Sequence, residues 1–238
     1  MTSLLRAPAA ALALVVAASL GIPAAAQSVA PPTCPAPPCT APIASSQLPN
    51  LGQVKHEIET YYEDGSYAAE VQTIEADAQR YLDQRVQAGA RKPALVLDID
   101  DTALSSYVYE KAHDFGYDPV SWNAQAATGF PAIAPTLALA RHAEAEHIAV
   151  LFVTGRRTGQ DGITRANLLG VGYPVDGLYL RPPDDHAPSV VPFKSSARAA
   201  IETQGYTVLE TIGDQWSDLE GGHAERAYKL PNPMYFLP

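Results

Sequence analysis

Cysteine is nearly absent from this chain. Only Cys34 and Cys39 occur among 238 residues, and both fall in a Pro/Ala/Ser-rich stretch ahead of the main body. In an oxidising compartment they suit a small local disulfide, or else free thiols, stapling that stretch and not a core. Lipid attachment at Cys34 is disfavoured, because Pro31-Pro32-Thr33 lacks the apolar and small residues of a lipidation site. Zinc is disfavoured because no His or second Cys pair lies nearby. A basic stripe is missing too: Lys and Arg are scattered and the net charge is −10. That argues against binding a nucleic-acid polymer. After the first 26 residues no apolar run approaches the length of a membrane span, and no internal repeat is visible.

What is present begins with a leader. Arg6 supplies a short basic region, Ala9 to Leu20 an apolar one, and Ala24-Ala25-Ala26 a small-residue cleavage site before Gln27. The expectation is a secretory signal peptide over 1–26, a Pro/Ala-rich linker over 27–50 and one domain over 51–238. The mature protein is then secreted or periplasmic, soluble, and more acidic by the loss of Arg6. A domain of this length buries a sizeable core.

Periodicity predicts helix over Gln53–Gln87, broken at Asp64-Gly65-Ser66 and stopped by Gly89. Ala94–Asp98 is a continuous apolar strand of the kind found in parallel sheets. Pro135–Glu146 reads as helix and His147–Val153 as strand, ending at Thr154-Gly155-Arg156-Arg157. Thr158–Leu169 is helical and stops at Gly170, and Gly177–Leu180 is a short strand. Lys194–Thr203 is a helix stopping at Gly205, Tyr206–Ile212 a strand, and Ala227–Leu230 a last one. Such alternation implies a parallel sheet covered on both faces.

The chemistry concentrates where these strands end. Asp98-Ile99-Asp100-Asp101-Thr102 follows the first strand, and side chains at i and i+2 leave a strand on one side. Asp98 and Asp100 can therefore converge at the carboxyl end of a strand, where open α/β sheets bind ligands. Two carboxylates so close call for a cation, a phosphate or a shared proton. Thr154-Gly155 offers a hydroxyl and backbone N–H groups at a helix start, which suits phosphate. Lys194 stands near another helix start. Asp214 and Asp218, four apart in Gly213-Asp214-Gln215-Trp216-Ser217-Asp218, share a face of a helical turn. Taken singly, each of these also suits a bland role: an acidic turn, a cap or a solvated lysine.

Together they resemble the four signature motifs of the haloacid dehalogenase (HAD) superfamily: Asp-x-Asp-x-Thr, then Thr, then Lys, then Gly-Asp-x-x-x-Asp, in that order. The segments LDIDDTALSS, FVTGR, LYLRPPDD, FKSSAR and KLPNPMYFLP are similar to the superfamily's subfamily IIIB acid phosphatases. That group takes in plant vegetative storage proteins and bacterial class B and C enzymes. The resemblance spans about Leu51 to Pro238. It implies a HAD-like Rossmannoid three-layer α/β sandwich with a central parallel sheet and a small cap, at about 103–134, inserted after the first catalytic strand. It further implies Asp98 as nucleophile, Asp100 as general acid/base, and Thr154, Gly155 and Lys194 as phosphate-binding residues. Mg²⁺ would be held by Asp98, the Asp100 carbonyl and Asp214, with Asp218 either a further ligand or supporting one from behind.

The function implied is a secreted, Mg²⁺-dependent acid phosphatase of small phosphomonoesters, nucleotides among them, working through an aspartyl-phosphate. The alternatives are a storage or binding protein on the same fold, or a phosphotransferase; an oligomer is compatible with either. Between Thr102 and Pro135 the chain carries Tyr107, Tyr109, Phe115, Tyr117, Trp122 and Phe130. These suit either a small subdomain core or a lid whose aromatic faces hold a leaving group.

Overall fold

A computed structural model describes residues 49–238. The leader, most of the linker and both cysteines lie outside the described residues. Asn50 caps the first helix, α1 (Leu51–Glu63), its side chain accepting from the Gly52 N–H at 2.9 Å. Gly65, at a φ of +91°, supplies the left-handed residue that separates α1 from α2 (Ser66–Gln87). Among the described residues no helix is long and apolar enough to cross a membrane.

Five strands form the sheet: β1 (Pro93–Leu97), β2 (Ala149–Arg157), β3 (Gly177–Arg181), β4 (Thr207–Gly213) and β5 (Arg226–Lys229). They lie in the order β3-β2-β1-β4-β5, and every pairing is parallel. The chain builds outward from β1 in one direction through β2 and β3, then returns to β1's other edge with β4. The strand order therefore reverses between β1 and β4. In an open α/β sheet that is where a crevice opens at the carboxyl ends.

Alternation along the strands divides the core into two. Leu95, Leu97, Val150, Phe152 and Leu209 face a large cluster with Val71, Ala78 and Leu82 of α2 and Leu139, Ala140 and Ala143 of α5 (Ala134–Ala145). Ala94, Val96, Leu151, Val153 and Val208 face a smaller one with Ala197 and Ile201 of α7 (Val191–Thr203). The result is a three-layer α/β sandwich. Between β1 and α5 the chain makes two short helices, α3 (Tyr107–Ala112) and α4 (Pro119–Thr128).

Among the boundaries that differ from those read in the sequence, two bear on the site and on the helix after it. β2 does not stop at Val153 but runs to Arg157, through a register shift against β3 between Thr154 and Arg157. Next comes a single 3₁₀ turn, and α6 (Asp161–Val171) follows it. Gly170 lies inside α6, because an internal glycine weakens a helix by only about 1 kcal/mol. The left-handed residue that ends it is Gly172, at φ +96°.

Candidate active site

Asp98 leaves the sheet directly after β1, with its N–H still bonded to the Ile212 carbonyl of β4 at 2.9 Å. A tight turn follows, not further strand. The Ile99 carbonyl accepts from Ala103 and Leu104 N–H at 2.9 and 2.8 Å, and Asp101 adopts a left-handed φ of 54°. Asp98 and Asp100 line the same cavity, but because this turn redirects the chain, not because strand alternation continues. Asp101, a residue type that tolerates the left-handed region, is fully buried and accepts from Ser106 N–H and from the Tyr235 hydroxyl at 2.9 and 2.7 Å. Burial, offset in part by these donors, pushes its carboxyl up to about 6.

Across the crevice, Lys194 projects from the first turn of α7. Its Nζ donates to Asp98 Oδ1 at 2.6 Å and to Asp218, and all three side chains are at least nine-tenths buried. Burial alone would lower the lysine's pKa; the Asp218 and Asp98 carboxylates outweigh it and hold the ammonium charged. Asp98 is pushed well above the ordinary carboxylate range by burial and by Asp218 beside it, despite Lys194. One carboxylate oxygen each of Asp98, Asp214 and Asp218 lie within 4.8 Å of one another. One lysine among three converging buried carboxylates leaves net negative charge in a low dielectric, so a further cation is favoured there.

The approach of Asp218 depends on Gly213. A Cβ at that position would sit 2.2 Å from the Asp218 side chain. Asp218 closes a 3₁₀ turn, its Oδ2 accepting from the Gln215 N–H at 2.9 Å. Asp214 and Asp218 thus converge from one tight turn in place of the helical face that their spacing suggests. Asp214 is held at Oδ1 by the Thr102 hydroxyl at 3.0 Å, and at Oδ2 by the side-chain amides of Gln215 and Asn232, both at 2.7 Å. Burial, then Asp218, raises its carboxyl to about 7.

Asp100 faces a partner that sequence reasoning passes over. The Arg156 guanidinium grips it with Nη2 at 2.6 Å and Nε at 3.0 Å, in the forked geometry that binds carboxylates best. Arg156 is buried, with the Trp122 ring 5.2 Å away on α4. Its place in the FVTGR segment was its only signal. Thr154 is also buried, and its hydroxyl accepts from the Arg156 N–H at 3.1 Å. Because β2 continues past it, Thr154 and Gly155 stand on a bulged strand end and not at a helix start. Gly155 lines the cavity; Thr154 is not among its lining residues.

The cavity has a volume of about 600 Å³ and is walled by Asp98, Asp100, Arg156, Lys194, Asp214 and Asp218 on its charged side. Phe115, Tyr117 and Trp122 from the insert and Tyr235, Phe236 and Leu237 from the C-terminus form its apolar side. For three of the insert's aromatics the packing alternative holds in place of the lid. Tyr107 stacks on Tyr62 with ring centroids 4.3 Å apart and donates to Glu63, so it joins the insert to α1 and does not line the cavity. Tyr109 and Phe130 are buried core residues.

Residues 40–238 match the sequence family described as HAD superfamily, subfamily IIIB (acid phosphatase). Acid phosphatase 1 of Solanum lycopersicum is 30% identical over 186 residues, 76% of this chain and 73% of that protein. Vegetative storage protein 1 of Arabidopsis thaliana is 27% identical over 207 residues, 82% of this chain and 76% of that protein. The solved structure of the class C acid phosphatase from Bacillus anthracis superimposes with a TM-score of 0.65. The match covers 78% of this chain and 86% of that one at 22% identity, a likeness of fold.

Proposed function

Because this chain belongs to the subfamily IIIB acid phosphatases of the HAD superfamily, and is thus a phosphomonoesterase, we propose that it is an exported, Mg²⁺-dependent enzyme that hydrolyses phosphate monoesters through an aspartyl-phosphate on Asp98. The observation that carries this reading is the Asp98–Lys194–Asp218 cluster, buried at the carboxyl end of β1 and open to the cavity.

Asp98 attacks phosphorus through Oδ, forming an acyl-phosphate while the P–O bond to the leaving group breaks. Lys194, already 2.6 Å from Asp98 Oδ1, orients the nucleophile and offsets charge on the phosphoryl oxygens. Gly155, which lines the cavity at the end of β2, contributes to the phosphate site, and the buried Thr154 supports it from behind through its bond with the Arg156 N–H. Asp100 donates a proton to the departing alkoxide, then takes one from the water that releases phosphate. Arg156 keeps the Asp100 carboxylate aimed into the cavity. The converging carboxylates of Asp98, Asp214 and Asp218 are hard oxygen donors that fit Mg²⁺ and would hold it together with the Asp100 carbonyl; when bound, the ion would supply the charge neutralisation that a loose phosphoryl-transfer transition state requires.

Substrate choice rests with the apolar side of the cavity. Trp122, Tyr117 and Phe115 suit a flat leaving group, which favours nucleotides and aryl phosphates over alkyl ones. Trp122→Ala is expected to raise KM for such substrates about tenfold, since one stacked ring is worth roughly 1–3 kcal/mol, and to leave small alkyl phosphates within about twofold. Equal losses for both classes would remove stacking from the account.

A storage role on the same fold is the competing reading, favoured by the likeness to a vegetative storage protein. The test is a panel of phosphomonoesters assayed before and after exhaustive chelation, with Mg²⁺ then restored. Turnover that vanishes and returns supports the enzyme. Turnover that survives chelation ends the metal assignment, and none on any ester favours storage. Export is checked by sequencing the mature N-terminus, expected at Gln27.

A further inference from the structure

After β5 the chain does not leave the domain. Residues 230–238 fold back over the carboxyl end of β4, beginning with the buried Leu230, whose N–H donates to the Gly213 carbonyl at 2.9 Å. Besides lining the cavity, this strap bonds two of the buried carboxylates. Asn232 Nδ2 donates to Asp214 Oδ2 at 2.7 Å, and the Tyr235 hydroxyl donates to Asp101 Oδ2 at 2.7 Å.

The amide orientations follow from hydrogen bonds the strap makes elsewhere. Asn232 Oδ1 accepts from the Met234 N–H at 2.8 Å, so its carbonyl is turned into the strap and its NH₂ group must face Asp214. Gln215 is fixed likewise: its Oε1 accepts from the Leu237 N–H at 3.1 Å, which leaves Nε2 for Asp214 Oδ2 at 2.7 Å. Both amide donors on Asp214 Oδ2 are thus oriented by backbone N–H groups of residues 234–237. The far end is tied down where the Pro238 carbonyl accepts from the Val190 N–H at 3.3 Å, beside the start of α7.

We propose that the C-terminal strap is a positioning device for divalent-cation binding, with Asn232 as the residue that aims the Asp214 carboxylate. This rests on Asp214 being a metal ligand, as argued above. A carboxylate without fixed partners can rotate; Asp214 has two oriented N–H donors on Oδ2 and the Thr102 hydroxyl on Oδ1, so its remaining acceptor capacity is presented in a single direction. Partners of this kind behind a metal ligand typically govern affinity by 10–100-fold. Asn232 touches no substrate in this scheme and acts through Asp214.

The experiment compares the metal-stripped full-length wild type, Asn232→Ala and Asp214→Ala. Three readouts are taken: calorimetric affinity for Mg²⁺, the Mg²⁺-induced rise in melting temperature, and the Mg²⁺ concentration giving half-maximal turnover. Asn232→Ala is expected to weaken Mg²⁺ by about tenfold or more, to shrink the thermal shift, and to recover most of its rate at saturating Mg²⁺. A merely structural role would lower the metal-free melting temperature and leave the half-saturating concentration where it was. If Asp214→Ala loses Mg²⁺ while Asn232→Ala binds it like the wild type, the strap inference is overturned and the metal assignment stands. If Asp214→Ala itself binds Mg²⁺ like the wild type, the metal assignment falls and takes the inference with it. Should Asn232→Ala not fold, Asn232→Ser makes the same comparison, since its hydroxyl can still accept from Met234 while falling short of Asp214.

Discussion

Glu210 and Asp214 stand four residues apart, one within β4 and the other just beyond it, and the fold treats their buried carboxyls in opposite ways. Asp214 accepts three side-chain hydrogen bonds and shares a pocket with Lys194's partners Asp98 and Asp218. Glu210 is fully buried with neither oxygen bonded. Its strand bulges between Val208 and Glu210, which pair with the adjacent Ala94 and Leu95. The bulge sends Glu210 to the same face as Leu95, toward α2, where Glu75 is also buried. Glu75 keeps one bond, from the Thr136 hydroxyl at 2.9 Å, and its second oxygen has none. Burial, then Glu75, lifts Glu210 to about 9, against the minor opposing pull of Arg226; burial lifts Glu75 to about 7. The lesson is that burial alone does not make a carboxylate reactive. Burial lifts the carboxyls in both places; at the strand end Lys194 and the amide donors oppose that rise, whereas beneath the sheet no donor reaches Glu210 and the cheaper state is a neutral acid.

The hardest blow to the charged cluster is Asp98→Asn. Turnover is expected to fall by at least about three decades, some 4 kcal/mol of transition-state stabilisation, because the amide is no nucleophile. The metal-free melting temperature should not drop, since a desolvated charge is removed. A purified variant that turns over normally would end the covalent assignment.

Lys194→Ala tests whether the cation makes the site's burial tolerable. It leaves Asp98 and Asp218 facing each other unpaired, and breaking a buried pair destabilises by about 3–5 kcal/mol. Denaturant midpoints at neutral pH should show that deficit, and it should shrink as the pH falls and the carboxylates protonate. A deficit that does not change with pH points to lost packing instead.

The neutral pair is probed by Glu210→Gln. A carboxyl whose folded pKa lies above its unfolded value contributes stability fully present below the unfolded value and lost as pH rises through the folded one. For Glu210 that window runs from the ordinary 4.5 to about 9, and for Glu75 from 4.5 to about 7. Wild-type melting temperature should therefore fall from acid to alkaline pH. Glu210→Gln should match it near pH 4 and melt higher at pH 9, by about 2–4 °C for each kcal/mol relieved. Parallel curves for the two proteins would show that Glu210 is not the sensor.

The smallest effect belongs to Thr136→Val, which strips Glu75 of its one hydrogen bond. About 1 kcal/mol should be lost, more at pH 8 than at pH 5, because the bond favours the ionised carboxyl. A pH-independent loss would place the hydroxyl's contribution in packing.

Much of this architecture is readable along the chain. Apolar runs such as Ala94–Leu97 announce buried parallel strands, and the acidic turns after them announce where polar chemistry collects. Gly213 before Asp214 signals close approach. Other features leave no local trace. Arg156 is one arginine among several until the bulge in β2 swings it onto Asp100. Tyr107 and Trp122 have equal aromatic character, and only the path of α3 and α4 sends one to Tyr62 and the other to the cavity. Asn232 and Tyr235 lie more than a dozen residues from the carboxylates they touch, so no periodicity joins them. Glu210 reads as one polar residue in an apolar strand, and the bulge that buries it has no sequence mark.

The sequence by itself determined the alternation of strands and helices and the chemical types placed after β1, β2 and β4, because hydrophobic period and turn residues act within a few positions. Tertiary structure alone decided which charges meet. Whether a buried carboxyl finds a lysine, an arginine, two amides or nothing depends on contacts between segments far apart in the chain, and at short range in a low dielectric those contacts set its charge.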